Sequence, residues 1–341
     1  MTLQVCCAED FYDKMEDLIN SNVEQLGYML PLSRERINEL FSPSTSYVLL
    51  EDDSVVAAFN YISGHEKTSP TVFLRFVVQS PHYVKEIIKN VLRITMAQEK
   101  LWIRVSRFGY DRETIKALID VGFKVGAEIP EMASYGGELY SQYILYYDIK
   151  PKYKFKVERE YKNEELYPML SLEKVRKTSF RVRGLRFSDL EYYETIFNQP
   201  NVFRTMGGGV FEGLIYVDKD RIINAAKKRE YYTIVCVDQV IDKPVGFLSL
   251  GSFPQDVLKG VGNIGMFVDE RYQGIGVGST LLENAILLAK RLHYRLLFLS
   301  VFDTNIAGVK LYEKFGFKEH GRVPGWFQNG YVKEIMMTRR V

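Results

Sequence analysis

One order of elements occurs twice along the 341-residue chain, and that repetition limits the fold more than any single motif does. In the second half, FRVRGLRF (180–187) alternates like a strand, and SDLEYYETIFNQ (188–199) has helical spacing behind a capping Ser188. A helix over 218–230 precedes a hairpin, YYTIVCV (231–237) and PVGFLSLGS (244–252). NIGMFV (263–268) is the next strand, and a glycine-rich loop leads into a helix over 280–292, where Thr280 and Glu283 stand at capping-box spacing. A buried-type strand (295–302), a helix (305–315) stopped by Gly316 and two last strands (317–323 and 331–338) complete the series. The first half runs in the same order: a hairpin at 46–62, strand 71–78, helix 84–100, strand 101–107, helix 111–123 and strand 140–149. The expected organisation is therefore two tandem domains, 1–150 and 179–341, joined by a Lys- and Glu-rich linker at 151–178. Each is of mixed α/β (α+β) type, with a mostly antiparallel central sheet flanked by helices.

Composition narrows the function. A chain of this length fits about two domains of ordinary size, and 46% apolar residues suffice to give each a core. A net charge of +2 lacks the segregated basicity of a dedicated nucleic-acid binder. Three cysteines, Cys6, Cys7 and Cys236, and four scattered histidines form no metal-ligand spacing, and the small odd cysteine count suits reduced thiols in a cytoplasmic setting. The amino terminus turns acidic within ten residues, unlike a signal peptide, and the most apolar stretch is interrupted by Lys290, Arg291, His293 and Arg295, which excludes a spanning helix.

The loop DERYQGIGVGS (269–279) carries the chemistry. A strand feeds a turn rich in glycine, which feeds a helix. Glycines tolerate positive φ and let a ligand approach the backbone, while free N–H groups at a helix start make an anion site strengthened by the helix dipole. Arg271 adds a positive charge. A pyrophosphate asks for this combination; a tight turn with glycines for conformation only is the plain alternative. A dinucleotide fold fits less well, because the strand order is not one of alternating βαβ units.

Gln273-Gly274-Ile275-Gly276-Val277-Gly278 resembles the Q-x-x-G-x-G/A signature of the GNAT superfamily of N-acetyltransferases, with Arg271 two residues earlier. NIAGVKLYEKFGF (305–317) resembles that family's N-x-x-A-x-x-L-Y-x-x-x-G-F segment, with Gly308 in place of the usual alanine. The resemblance covers 180–341 in full and 1–150 in architecture only. It implies that acetyl-CoA is the co-substrate, with no metal. It further implies that the strand positions Met266, Phe267 and Val268 pair with the pantetheine arm, as a peptide joins a sheet edge. The amides from Gln273 through Gly274, Ile275, Gly276, Val277 and Gly278 to Ser279 would hold the pyrophosphate, and Asn305 would touch the cofactor arm. Asn305, Gly308 and Tyr312 share one helix face, with Gly308 leaving room between the other two.

The reaction needs a neutral amine to attack a thioester. A lysine-type amine has a pKa near 10.4, and a thiol leaving group one near 8.5. A base for the amine and an acid for the departing thiolate both help. Tyr312 is the candidate acid; a packed aromatic is the alternative reading. Glu212 and Asp303 are the nearest carboxylates that could serve as base, and each could equally be a surface or capping group. A water chain or a free amine could serve instead.

The first copy departs from the pattern. Between Val78 and the helix near Val84 it has only QSPHY, without paired glycines, and Pro81 removes a donor. Counting from the Gly-Phe landmarks, Leu118 stands in the place of Tyr312 and Asp111 in that of Asn305. This copy is expected to keep the fold and bind no acetyl-CoA in the usual way. The run KVRKTSFRVR (174–183) could read a 3′-phosphate of coenzyme A, although such runs are more often solvated faces.

The expected function is acetyl transfer to a primary amine, a protein N-terminus or a small-molecule amine, in a ternary complex with acetyl-CoA. The stretch 185–206 resembles the RimJ/RimL-type branch, which acetylates protein N-termini. The competing reading is a non-catalytic acyl-CoA-binding regulator, which would tolerate loss of Tyr312. The expected partners are acetyl-CoA and an amine, with neither nucleic acid nor membrane, and the assembly a monomer or homodimer.

Overall fold

The computed structural model describes residues 3–63, 70–98, 100–149, 179–205, 222, 224, 231–327 and 330–341. Chain contacts divide them into two units: Met1–Phe155 with Pro254–Lys259 and Gly321–Trp326, and Lys156–Phe253 with Gly260–His320 and Phe327–Val341. The expected linker at 151–178 and most of the expected helix at 218–230 lie outside the described residues.

The first unit contains, in chain order, β1 (Leu3–Cys7), α1 (Tyr12–Ser21), α2 (Arg34–Leu40), β2 (Ser46–Glu51), β3 (Ser54–Ser63), β4 (Thr71–Val78), α3 (Val84–Ala97), β5 (Trp102–Phe108), α4 (Arg112–Asp120), β6 (Lys124–Tyr135) and β7 (Glu138–Asp148). Its strands lie in the order β1-β2-β3-β4-β5-β7-β6. Every neighbouring pair is antiparallel except β4 and β5. Successive side chains of a strand point to opposite faces, so each strand serves two cores. Leu49, Phe76 and Val78 pack with Ile87, Ile88 and Val91 of α3. Val48 and Val77 pack with Met15, Ile19, Ile37 and Phe41 on the other face.

The second unit follows the same plan: β8 (Phe180–Gly184), α5 (Leu190–Phe197), α6 (Pro200–Thr205), β9 (Tyr231–Asp238), β10 (Lys243–Ser252), β11 (Val261–Val268), α7 (Val277–Arg291), β12 (Leu296–Phe302), α8 (Ile306–Lys314), β13 (Lys318–Phe327), of which Gly321–Trp326 count with the first unit, and β14 (Gly330–Arg340). The sheet runs β8-β9-β10-β11-β12-β14, with β11 and β12 parallel and the other pairs antiparallel. One face is covered by α7 through Leu281, Leu282, Ala285 and Ile286. At roughly 1.5–3 kcal/mol for each fully buried aliphatic side chain, this packing outweighs the cost of about 1 kcal/mol for Gly278 inside a helix. The other face carries Ile196 and Val202, from α5 and α6, against Val235, Val237, Phe247 and Phe267.

Two helix starts differ from expectation. Ser188 does not cap α5; the buried Asp189 carboxylate reaches back instead, accepting from Arg186 N–H at 2.7 Å and from Arg183 at 2.6 and 2.8 Å. A carboxylate offers two oxygens to three donors, which a hydroxyl cannot. The helix expected from Thr280 begins three residues earlier at Val277, with Gly276 as its cap residue. Thr280 thus lies inside the first turn, where its hydroxyl donates to Gly276 O at 3.0 Å, and it forms no capping box with Glu283.

Candidate active site

Strands β11 and β12 pair at Val261–Leu296, Gly262–Leu297 and Asn263–Phe298 and then part. On its other side β11 stays paired with β10 as far as Val268. Asp269 N–H turns to Val245 O of β10 at 3.0 Å. By the alternation of strand backbone groups, N–H and C=O of Val268 and Met266 then face the gap that β12 has left. The side chains of Met266 and Val268 pack toward the α7 core. Phe267 points the other way, its ring 4.7 Å from that of Tyr193 and 5.3 Å from that of Phe197. The gap is edged by main chain with one side chain on it, Gln273 Nε2 donating to Val268 O at 3.1 Å; the other main-chain groups suit an extended ligand bearing amides.

The gap opens onto the glycine loop. Gly274 has φ +78° and Gly276 has φ +106°, a region L side chains rarely adopt, and a side chain added at Gly276 would project into open space. The positive φ at Gly276 turns the chain into α7. The first N–H with an intrahelical acceptor there is that of Thr280, bonded to Gly276 O at 2.9 Å. The N–H groups of Val277, Gly278 and Ser279 precede it and have no carbonyl a turn earlier within the helix. Gly278 has a separate reason to be small: a Cβ there would lie 3.0 Å from the Leu311 side chain of α8. The residues present therefore fit a pyrophosphate at the loop and a pantetheine arm along β11.

Arg271 does not extend free positive charge into this site. Its guanidinium is bidentate to Asp269, Nε to Oδ1 at 3.0 Å and Nη2 to Oδ2 at 2.8 Å. Asp269 is 2% exposed. Burial alone raises its pKa, but the hydrogen bonds from Arg271 prevail and hold it below the usual carboxylate range. The pair is a clamp on the loop's first turn, which Asp269 also caps by accepting Arg271 N–H at 2.9 Å. Tyr272 completes the anchor, its buried hydroxyl donating to Asp238 Oδ2 at 3.0 Å. From the α5–α6 side, Gln199 Oε1 accepts Glu270 N–H at 2.9 Å, and Glu270 accepts Asn201 N–H. Sequence reading missed Asp238, Asp269, Tyr272 and Gln199; the one local signal was the aspartate closing a strand just before a turn.

Asn305 caps α8, its Oδ1 accepting Gly308 N–H at 2.9 Å. The space Gly308 leaves is filled by that same side chain: a Cβ at Gly308 would sit 2.7 Å from Asn305 Nδ2. Gly308 therefore serves the cap and not a passage between Asn305 and Tyr312. Tyr312 is 8% exposed, with its ring 5.8 Å from that of Phe317. Burial pushes its hydroxyl up to about 12, so it stays protonated at neutral pH and able to donate. Asp303 is engaged with β14, accepting Lys333 N–H at 3.1 Å. Glu212 lies outside the described residues. Of the basic run at 174–183, Arg181 pairs with Asp242 and Arg183 with Asp189. Among the described residues no group of three or more His, Cys, Asp or Glu side chains could hold a metal ion, and no helix is long and apolar enough to cross a membrane.

A strand parted from its parallel neighbour, a glycine loop at a helix start and a buried tyrosine one helix later define an acyltransferase of the acetyl-CoA class. The Acetyltransferase (GNAT) family model matches residues 205–317, and the chain belongs to this family of acetyl-CoA-dependent N-acetyltransferases. It is 34% identical to the spermine/spermidine N(1)-acetyltransferase of Bacillus subtilis (strain 168) over 128 residues, 36% of this chain and 84% of that one. Solved structures similar to it include a ribosomal-protein-alanine N-acetyltransferase from Brucella melitensis, 21% identical with a TM-score of 0.43, covering 47% of this chain and 99% of that one. Another is a GNAT superfamily phosphinothricin acetyltransferase from Sinorhizobium meliloti in complex with acetyl-CoA, 15% identical with a TM-score of 0.43, covering 48% and 88%.

Proposed function

We propose that the second unit transfers an acetyl group from acetyl-CoA directly to a primary amine of a polyamine or a similar small amine, and that the first unit does not bind the co-substrate. The observation that carries the reading is the course of β11: three paired positions, a main-chain edge at Met266 and Val268 on which Gln273 Nε2 donates to Val268 O at 3.1 Å, then Gly276 and the start of α7. The backbone of Met266 and Val268 aligns the amides of the pantetheine arm. The N–H groups at the start of α7 hold the pyrophosphate, and the Asp269–Arg271 and Tyr272–Asp238 contacts keep that loop in shape. Bound there, the co-substrate supplies the thioester carbon that the amine attacks. The Tyr312 hydroxyl donates a hydrogen bond to the thiolate as it leaves. The choice of a polyamine draws on the Bacillus relative, whose aligned region makes up most of its length.

The test is release of free thiol from acetyl-CoA in the presence of spermidine, spermine, a peptide with a free N-terminus, or no acceptor. Saturable release with a polyamine supports the proposal. Release only with the peptide moves the acceptor to protein N-termini. Acetyl-CoA binding without release for any amine favours the regulator.

A further inference from the structure

The first unit has the same parted strands. β4 and β5 pair in parallel at Thr71–Trp102, Val72–Ile103 and Phe73–Arg104 and then separate. Gln79 N–H turns to Val56 O of β3 at 2.9 Å, as Asp269 N–H turns to Val245 O in the second unit. The two strands therefore superimpose by register: Phe76 stands where Met266 stands, and Val78 where Val268 stands. In the second unit one acceptor of this edge meets a side chain, Gln273 Nε2 donating to Val268 O at 3.1 Å; here both groups of Val78 are met. Gln25 Nε2 donates to Val78 O at 2.8 Å, and Gln25 Oε1 accepts Val78 N–H at 3.1 Å. A primary amide pairing with both groups of one residue does what a peptide unit in an adjoining strand does. Two residues back, Phe76 O accepts Arg107 Nη2 at 2.9 Å, and the guanidinium lies 3.8 Å from the Phe76 ring.

These contacts belong to one strap. The turn Val23–Leu26 that carries Gln25 is fastened at two more points: Arg107 Nη1 donates to Gln25 O at 3.0 Å, and Tyr110 OH donates to Glu24 O at 2.7 Å. Gly27 closes the turn at φ +85°, and a side chain there would sit 2.7 Å from Phe108. Arg107 is 2% exposed, an expensive place for a charge unless each contact matters. In the second unit its register equivalent is Val301.

We infer that the first unit carries its own permanent substitute for the pantetheine arm, with Gln25 and Arg107 occupying the strand edge that the second unit keeps for acetyl-CoA. The inference rests on the reading of β11 as the cofactor-pairing strand. It goes further in giving the first unit a filled, self-liganded cleft rather than an empty degenerate one, so the full chain takes up a single equivalent of acetyl-CoA.

The test is amide hydrogen exchange, resolved at Val78 and Val268, on the full-length protein with and without saturating acetyl-CoA. The Val78 N–H should exchange slowly without ligand and be unchanged by it. Gln25→Ala should speed its exchange by roughly tenfold or more while the neighbouring Val77 N–H, turned to β3, stays protected. Protection at Val78 that appears only with acetyl-CoA, or an unchanged rate in Gln25→Ala, overturns the inference. Should Gln25→Ala unfold the unit, the stoichiometry of acetyl-CoA binding to the unaltered chain decides: one equivalent supports the strap and two refute it. Protection of Val268 on adding acetyl-CoA tests the cofactor strand separately, so failure there is distinguishable from failure of the strap.

Discussion

The Tyr272 hydroxyl reaches across the second unit to Asp238 at the end of β9, 3.0 Å from Oδ2, with both residues almost wholly buried. This bond ties the loop facing the proposed pyrophosphate site to a strand two positions away in the sheet. Tyr272→Phe leaves a buried carboxylate oxygen without that donor, which costs about 1–3 kcal/mol. The expected outcome is a lower denaturation midpoint together with a raised KM for acetyl-CoA and little change in KM for the amine. Equal effects on both KM values would show that the bond stabilises the unit without shaping the loop.

Tyr312→Phe removes the proposed donor and leaves the ring packed against Phe317. kcat should fall by roughly tenfold or more, with acetyl-CoA affinity and thermal stability nearly unchanged. An unaltered kcat removes the hydroxyl from the mechanism.

The burial of Tyr312 also fixes a pH signature. Its hydroxyl, pushed up to about 12, remains protonated throughout the usual assay range. The rate should climb as the amine acceptor loses its proton, with no falling limb from Tyr312 below about pH 11. A fall near pH 10 that disappears in Tyr312→Phe contradicts the buried assignment.

Gly276→Ala places a side chain where there is space but where φ is +106°. The strain is about 1–3 kcal/mol and is relieved only if the helix start moves. Acetyl-CoA affinity measured by calorimetry should drop by roughly tenfold or more. Retained affinity argues against the phosphate role of this turn.

Asp269 is held below its ordinary pKa, so its ionised form is favoured by folding. The stability it adds is present in full above the unfolded value of about 3.9 and is lost as pH falls through the lower folded value. The stability difference between the unaltered protein and Asp269→Asn, from chemical denaturation, should be largest near neutral pH and shrink toward pH 3. A difference that grows with acidity has the wrong sign for this account.

Local patterns carried much of the fold. β4, Thr71–Val78, ends where the apolar run ends, and Gly316 stops α8 with φ +80°. The turn at Gly276 was legible because its positive φ is a demand of one residue on itself; the cap that Asn305 forms was not, because the family resemblance assigns its side chain to the cofactor arm. The helix starts at Asp189 and Val277 were misplaced because Ser188 and Thr280 offer plausible hydroxyls, and only the folded chain shows which side chain the donors meet. β1, α1, α2 and β6 gave no repeat signal to follow. The Tyr272–Asp238 and Gln25–Val78 contacts span 34 and 53 residues, and nothing local marks them. Arg107 reads in sequence as a polar residue at a strand end; its burial follows only from the parting of β4 and β5.

Gln25 and Val78 belong to one covalent chain, and that changes the competition at this strand edge. A tethered group meets its partner at an effective concentration on the order of millimolar even through a flexible linker. A free acyl-CoA must exceed that local supply with its whole binding energy before it displaces one side-chain amide. In the second unit the same edge answers to the free concentration of its ligand. One architecture thus yields two settings of occupancy, the first independent of metabolism and the second responsive to it.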